Sequence, residues 1–435
     1  MKSVLKCLVL TALIVMCAFQ NVQAAGYGLY EYSARGNALG GALIARTPDA
    51  STAVFNPANV TNLPGTHFQA GFTAINPYST ITFDDDKYGD ATGKSNVWIP
   101  PHMYFTYQQG ENLWINLATF SRFGLGTEFE EDWSGRYNVN YAGIETVSFS
   151  PSIAWKANDK LSLAIGPEFM WFKFRQEKVV DQNALKVKHG IAPSADGVYN
   201  PSTYGSDFDS ALEGDSLGMG LMLAMHYQYN DDLAFGLTYR SQVKQEVNGE
   251  VSFSYDDATM DNNLKPLLKT ANAGATIILP DEIFAGVSYN VTDRLSVEAD
   301  LVWTNWSLYN ELNIENEDVP ALSTSSTKDY NDTIRVQLGA EYQYNDWLTL
   351  RGGYVFDQSP IEDEYAEYLL PTGDRHLFSA GTGFRFDEHW TLDLSYTYLV
   401  AEERHFDERK AEAIYDSKGH NTFTHLVGVT VGYDF

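Results

Sequence analysis

Alternation of apolar and polar side chains dominates this chain and is clearest at its C-terminus. Phe423, His425, Val427, Val429, Val431, Tyr433 and Phe435 alternate with Thr424, Leu426, Gly428, Thr430, Gly432 and Asp434. A period of two puts each set on its own face of a β-strand. Leu295, Val297, Ala299, Leu301 and Trp303 likewise oppose Ser296, Glu298, Asp300 and Thr304. Leu392 to Tyr398 and Ile334 to Tyr342 repeat the pattern. Predicted lengths of roughly nine to sixteen residues exceed those of ordinary globular sheets and suit a tilted membrane crossing.

Connection lengths sharpen this reading. Short polar turns fall at Gln108–Glu111, Asn158–Lys160, Asn230–Asp232, Asn290–Asp293, Asn345–Asp346 and Asp387–His389. Between them lie long connections at Asp84–Asn96, Arg122–Ala142, Val179–Glu213, Asp256–Ala273, Asn313–Lys328, Asp357–Thr372 and Ala401–His420. Bacterial outer-membrane barrels alternate in this way, with short turns on the periplasmic side and long loops outside. The chain is therefore expected to be all-β, a transmembrane antiparallel β-barrel of about 14 strands with both ends at the periplasmic mouth.

One stretch fits no strand. Ala25 to Gly65 is rich in Gly and Ala and has neither alternation nor a long amphipathic helix. Ahead of it, Lys2 and Lys6, the apolar run Leu8–Phe19 and the small residues at Val22 and Ala24 read as a removable signal peptide. The expected division is 1–24 leader, 25–66 plug inside the lumen, and 67–435 barrel.

Composition narrows the chemistry. Aromatic residues make up 14% of the chain, in keeping with strands and interfacial girdles. The formal charge of −28 excludes nucleic acid as a partner, since phosphate binding needs a basic surface. Acid clusters such as Asp84–Asp86 and Glu362–Glu367 fall in the long connections and read as solvated loops. Both cysteines, Cys7 and Cys17, lie in the leader, which removes disulfides and thiolate metal sites from the mature chain. The histidines stand without a Ser/Asp arrangement, and no HExxH, GxSxG or phosphate-binding loop occurs. No enzyme, cofactor or metal is expected.

Ser33 to Ala42 (SARGNALGGA), Asp49-Ala50-Ser51 and Asn56-Pro57-Ala58 resemble the N-terminal hatch of the FadL-type outer-membrane transporters of long-chain fatty acids and related hydrocarbons. Phe123-Gly124-Leu125, Gly135-Arg136-Tyr137, Thr238 to Lys244, Trp303 to Ser307 and Leu350 to Tyr354 extend the resemblance over nearly the whole mature chain. It implies capture of a hydrophobic ligand between two outer loops, then a barrel pocket closed by the hatch. It also implies a lateral opening at an inward kink of the third strand, near Thr119 to Gly126. Asn56, Pro57 and Ala58 would gate. Val54, Phe55, Phe120, Phe123, Leu125, Phe129 and Trp133 are the expected apolar contacts. The family's basic contacts fall near the end of strand five and the start of strand ten. Here Lys173 or Arg175 and a displaced Lys328 stand there, with Asn331 at the aligned position. By alternation, Arg240, Arg335, Arg351, Arg375 and Arg385 face the lumen with Glu298, Asp300, Glu341 and Asp393. Each arginine pairs structurally with a carboxylate or binds a ligand carboxylate. The expected partners are a long-chain fatty acid or similar hydrophobic molecule, outer-membrane lipid and lipopolysaccharide, with the protein a monomer. Uptake of aromatic hydrocarbons and a non-selective porin are the alternatives.

Overall fold

A computed structural model describes residues 26–188 and 207–435. The leader and the middle of the 179–213 connection lie outside the described residues. The described chain forms one closed antiparallel barrel of fourteen strands. In chain order these are β1 (Thr66–Phe83), β2 (Pro101–Gln108), β3 (Leu113–Phe120, resumed at Gly124–Glu128), β4 (Tyr141–Lys156), β5 (Leu161–Val180), β6 (Phe208–Gln228) and β7 (Leu233–Arg240, resumed at Val243–Ser254). They continue as β8 (Ala271–Leu279, resumed at Glu282–Thr292), β9 (Leu295–Thr304, resumed at Glu311–Asn316), β10 (Thr324–Thr327, resumed at Thr333–Gln343), β11 (Leu348–Asp357), β12 (Arg375–Arg385), β13 (Trp390–Ala401) and β14 (Ser417–Asp434). β14 pairs with β1 from His67–Asp434 to Phe83–Ser417, which closes the barrel.

The expected faces are observed. In β9, Glu298, Asp300 and Val302 are buried in the lumen while Ala299 and Leu301 face outward. On β6, Leu217 and Met219 are 72% and 68% exposed, tolerable only where lipid covers them. All six short turns fall between consecutive strands at one mouth, and the long connections gather at the other.

Residues 26–65 fill the lumen at the short-turn end. They contain α1 (Ala34–Ala38), α2 (Thr52–Phe55) and a 3-10 turn over Pro57–Asn62. Ser33 caps α1 by accepting from the Gly36 amide at 3.0 Å. Asn56 caps the 3-10 turn by accepting from the Ala58 amide, and Pro57 stands where no amide is needed. Wall glycines make room for this plug: a Cβ on Gly353 would lie 2.3 Å from the Gly40 nitrogen, and one on Gly236 would lie 2.3 Å from the Ile44 carbonyl. Charged pairs pin it. Glu298 accepts from the amides of Ile44 and Ala45 and from Arg46, and Glu341 accepts from both Arg35 and Arg351.

Candidate functional site

A charged layer crosses the lumen above the plug. Arg122 leaves the wall between the two halves of β3 and reaches the opposite side. It donates to Glu282 at 2.9 Å, to the Pro280 carbonyl at 2.8 Å, and to Glu168 at 3.3 Å. Arg240 shares Glu168 at 3.4 Å and donates to the Val54 carbonyl of the plug. Both guanidinium groups are fully buried, so each depends on these acceptors. On the outer side of this layer the lumen is apolar and aromatic, with Met170, Phe172, Val243, Leu279 and Trp306 in one cluster.

The wall is breached where Arg122 departs. Phe120 faces Ser148 and Gly124 faces Glu145, so β3 spends one more residue than β4 over this interval. The bulge turns β3 inward. Its other neighbour is missing too: β2 pairs with β3 only from Gln108 to Met103, and Pro100 and Pro101 have no amide to continue. The plug supplies the lost partners. The Leu29 amide donates to the Arg122 carbonyl and the Gly124 amide to the Tyr27 carbonyl, both at 2.9 Å. A cavity of about 310 Å³ occupies the gap. It runs from outward-facing Ile99 and Val147 to lumenal Tyr27, Phe123 and Leu426. Trp98 lies over Gly126, where a Cβ would meet the indole at 2.1 Å.

Two further cavities lie at the two mouths of the barrel. At the outer mouth a groove of about 520 Å³ is lined by Leu185, Phe208, Phe253, Leu268 and Leu322, with Lys410 at its edge. Beneath the plug a vestibule of about 590 Å³ is polar, bounded by Arg35, Asp49, Glu341, Arg351 and Asp393.

The structure gathers some of the expected site residues and separates others. Val54, Phe55 and Phe120 meet beside Tyr32 under the Arg240 guanidinium. Phe123, Phe129 and Trp133 belong to the apolar upper lumen, where Phe129 stacks on Trp133 at 4.0 Å, and Leu125 lines the side cavity. Arg351 is paired with Glu341 and Asp393, and Arg375 with Asp357. Arg385 keeps the lumenal parity of β12 and lines the vestibule at its periplasmic end, exposed beside Asp434. Lys173 and Arg175 require correction as lumenal contacts. The inward residues of upper β5 are Met170, Phe172 and Phe174, so both cations point outward, paired with Glu213 and Glu177. Lys328 is buried in the outer loops against Glu367 at 2.6 Å. Burial pushes the Glu367 carboxyl up, but the Lys328 ammonium and the Ser326 hydroxyl hold it below the usual carboxylate range. The pair therefore stabilises the loops above the usual carboxylate range, and the contribution is lost as pH falls below that range through the lowered folded value.

Arg122 was not among the expected site residues, because sequence places it at the start of a long connection. Asn56 stands out among the residues expected to gate. Its amide donates to the carbonyls of Ile44 and of Met225 on β6, tying plug to wall. Asn56→Ala removes the side-chain donor from both carbonyls and the side-chain acceptor from the Ala58 amide, a cost of roughly 1–3 kcal/mol. Hydrogen exchange of residues 44–62 should accelerate while the barrel strands stay protected; unchanged protection would refute the tie.

Fold, faces and filled lumen define a plugged outer-membrane β-barrel of the transport class. The chain belongs to the family of outer membrane transport proteins described as OMPP1/FadL/TodX, whose sequence profile matches residues 15–435. It is a transport protein, not an enzyme. A long-chain fatty acid transport protein of Escherichia coli is 26% identical over 98% of each chain. A solved FadL homologue of Pseudomonas aeruginosa superposes with a TM-score of 0.84 at 20% identity, covering 94% of this chain and 100% of its own. The toluene transporter TbuX of Ralstonia pickettii superposes with a TM-score of 0.71 at 18% identity, covering 94% of this chain and 100% of its own.

Proposed function

We propose that this protein is a diffusive outer-membrane channel for long-chain fatty acids. The ligand is caught in the outer groove, passes into the apolar upper lumen, and leaves sideways through the gap between β2 and β3. The observation that carries this reading is the side cavity, which reaches from the lipid face to the lumen past Ile99, Val147, Leu125, Phe123 and Leu426, with Lys94, Glu128 and Glu145 also in its lining. A hydrophobic solute moving downward would instead meet the Arg122–Glu168–Arg240 layer, then a polar vestibule. Transfer of apolar surface favours the sideways path. Asn56-Pro57-Ala58 holds the plug during this passage. The outward cations Lys173, Arg175 and Lys244 sit where lipopolysaccharide headgroups would lie, and the protein acts as a monomer.

The relatives supply the ligand class. Those named for long-chain fatty acids match in sequence along almost the whole chain. The likeness to a toluene transporter supports aromatic hydrocarbons as the second reading. Oleate uptake by a deletion strain, with and without this gene, separates the two. At least a tenfold gain in oleate uptake is expected on complementation. A gain for toluene with none for oleate would establish the second reading, and steady ion conductance in planar bilayers would favour a porin.

A further inference from the structure

The connection from β1 to β2 ends in a strap, residues 93–100, that runs beside β1 as an outward continuation of β2. Gly93 begins it and Pro100-Pro101 close it. On the β1 side it is bonded much as a strand would be. The Gly93 amide donates to the Ser79 carbonyl, Trp98 and Ile75 exchange two bonds at 2.9 and 2.8 Å, and the Thr73 amide donates to the Pro100 carbonyl. Val97 and Ile99 are each 58% exposed and turn to lipid. Alternation therefore aims Trp98 the other way, into the side cavity.

Toward β3 the strap is held at one point. The Lys94 amide donates to the Glu128 carbonyl at 2.7 Å, the Asn96 side chain donates to the Glu128 carboxylate at 2.6 Å, and the Lys94 ammonium stands 3.2 Å from that carboxylate. Between this point and the Met103–Thr119 pair, no described hydrogen bond joins the strap or β2 to β3. The Trp98 indole fills the interval instead, over Gly126 and with its centroid 6.4 Å from that of the Tyr141 ring. Its Nε1 is buried with no acceptor among the described residues, so packing alone keeps the ring in place.

We propose that Trp98 is the shutter of the side opening and sets the width of what passes, with Glu128 as its latch. The inference rests on the sideways route and adds a selectivity element that belongs to the wall and not to the plug. An unbranched acyl chain is narrow and can slip past the edge of the indole. A fused ring system as broad as the indole passes only when the shutter leaves. The swing breaks no hydrogen bond of the ring and leaves the bonds to β1 intact, because it needs only a change of side-chain rotamer. The Lys94–Glu128 pair is partly exposed, which makes it a weak tie that opens readily.

The test uses cells expressing the full chain, with oleate and a pyrenyl-terminated decanoate as probes. Wild type should take up oleate at least tenfold faster than the pyrenyl acid. Trp98→Ala should raise the pyrenyl-to-oleate uptake ratio at least fivefold, and Trp98→Phe should raise it less. Glu128→Ala keeps the indole but removes the carboxylate contacts, and should raise pyrenyl uptake at least twofold. Heat-modifiable migration on gels checks that each variant is a folded barrel. An unchanged ratio in Trp98→Ala, or no gain in Glu128→Ala, would overturn the proposal. Deleting Ser121 in the same strain tests the reading beneath it: oleate uptake that survives that deletion would sink the sideways route itself.

Discussion

Arg122→Met should destabilise the protein by about 3–5 kcal/mol, the usual cost of removing one partner from a buried ion network. Methionine preserves length and packing but deletes every donor. Among the described residues, Glu282 would then keep no cation at hydrogen-bonding distance, and Glu168 only Arg240. The carbonyls of Pro280 and Ser241 would lose their donor as well. The strand ladders do not depend on this residue, so the barrel should still assemble and show heat-modifiable migration on gels. Its urea midpoint should fall, and oleate uptake should drop at least tenfold as the inward turn relaxes. Adding Glu282→Gln should recover part of the stability, because the orphaned charge is then gone. A wild-type midpoint in Arg122→Met would show that the charged layer contributes little.

Deleting Ser121 should have the largest effect on transport. The bulge consists of one extra residue between Phe120 and Gly124, and its removal lets β3 follow β4 residue for residue. The gap to β2 narrows and the side cavity closes. Uptake should fall to the level of the deletion strain while oleate binding at the outer groove persists. Binding and uptake measured on the same variant separate loss of passage from loss of capture. Wild-type uptake through the straightened strand would rule out the sideways route.

The fold was legible in the sequence because a membrane barrel imposes two strong regularities. Lipid requires every second residue to be apolar, and antiparallel connections alternate short and long. Those rules carried the strand count, the mouths and the position of the plug. They failed at upper β5, where Phe169 and Trp171 face lipid while Met170 and Phe172 face an apolar lumen. With both faces apolar, alternation has no contrast to set against the family resemblance, which alone makes Lys173 and Arg175 candidates, and the structure turns both outward. They failed again at Arg122, since a bulge shifts parity by one and makes a buried residue resemble the start of a loop.

Alternation also put Arg240, Arg335 and Arg351 in the lumen, and left open which of them pair. That question belongs to register between strands distant in sequence. Arg351 meets Glu341 on the adjacent strand and Asp393 two strands away, whereas Arg335 faces an aspartate already held by Arg375. By itself the sequence determined a plugged fourteen-stranded outer-membrane barrel, because solvent and lipid act on each residue locally. Only the tertiary structure decided where the wall opens and which buried cation lacks a carboxylate among the described residues, because both depend on residues brought together across the lumen.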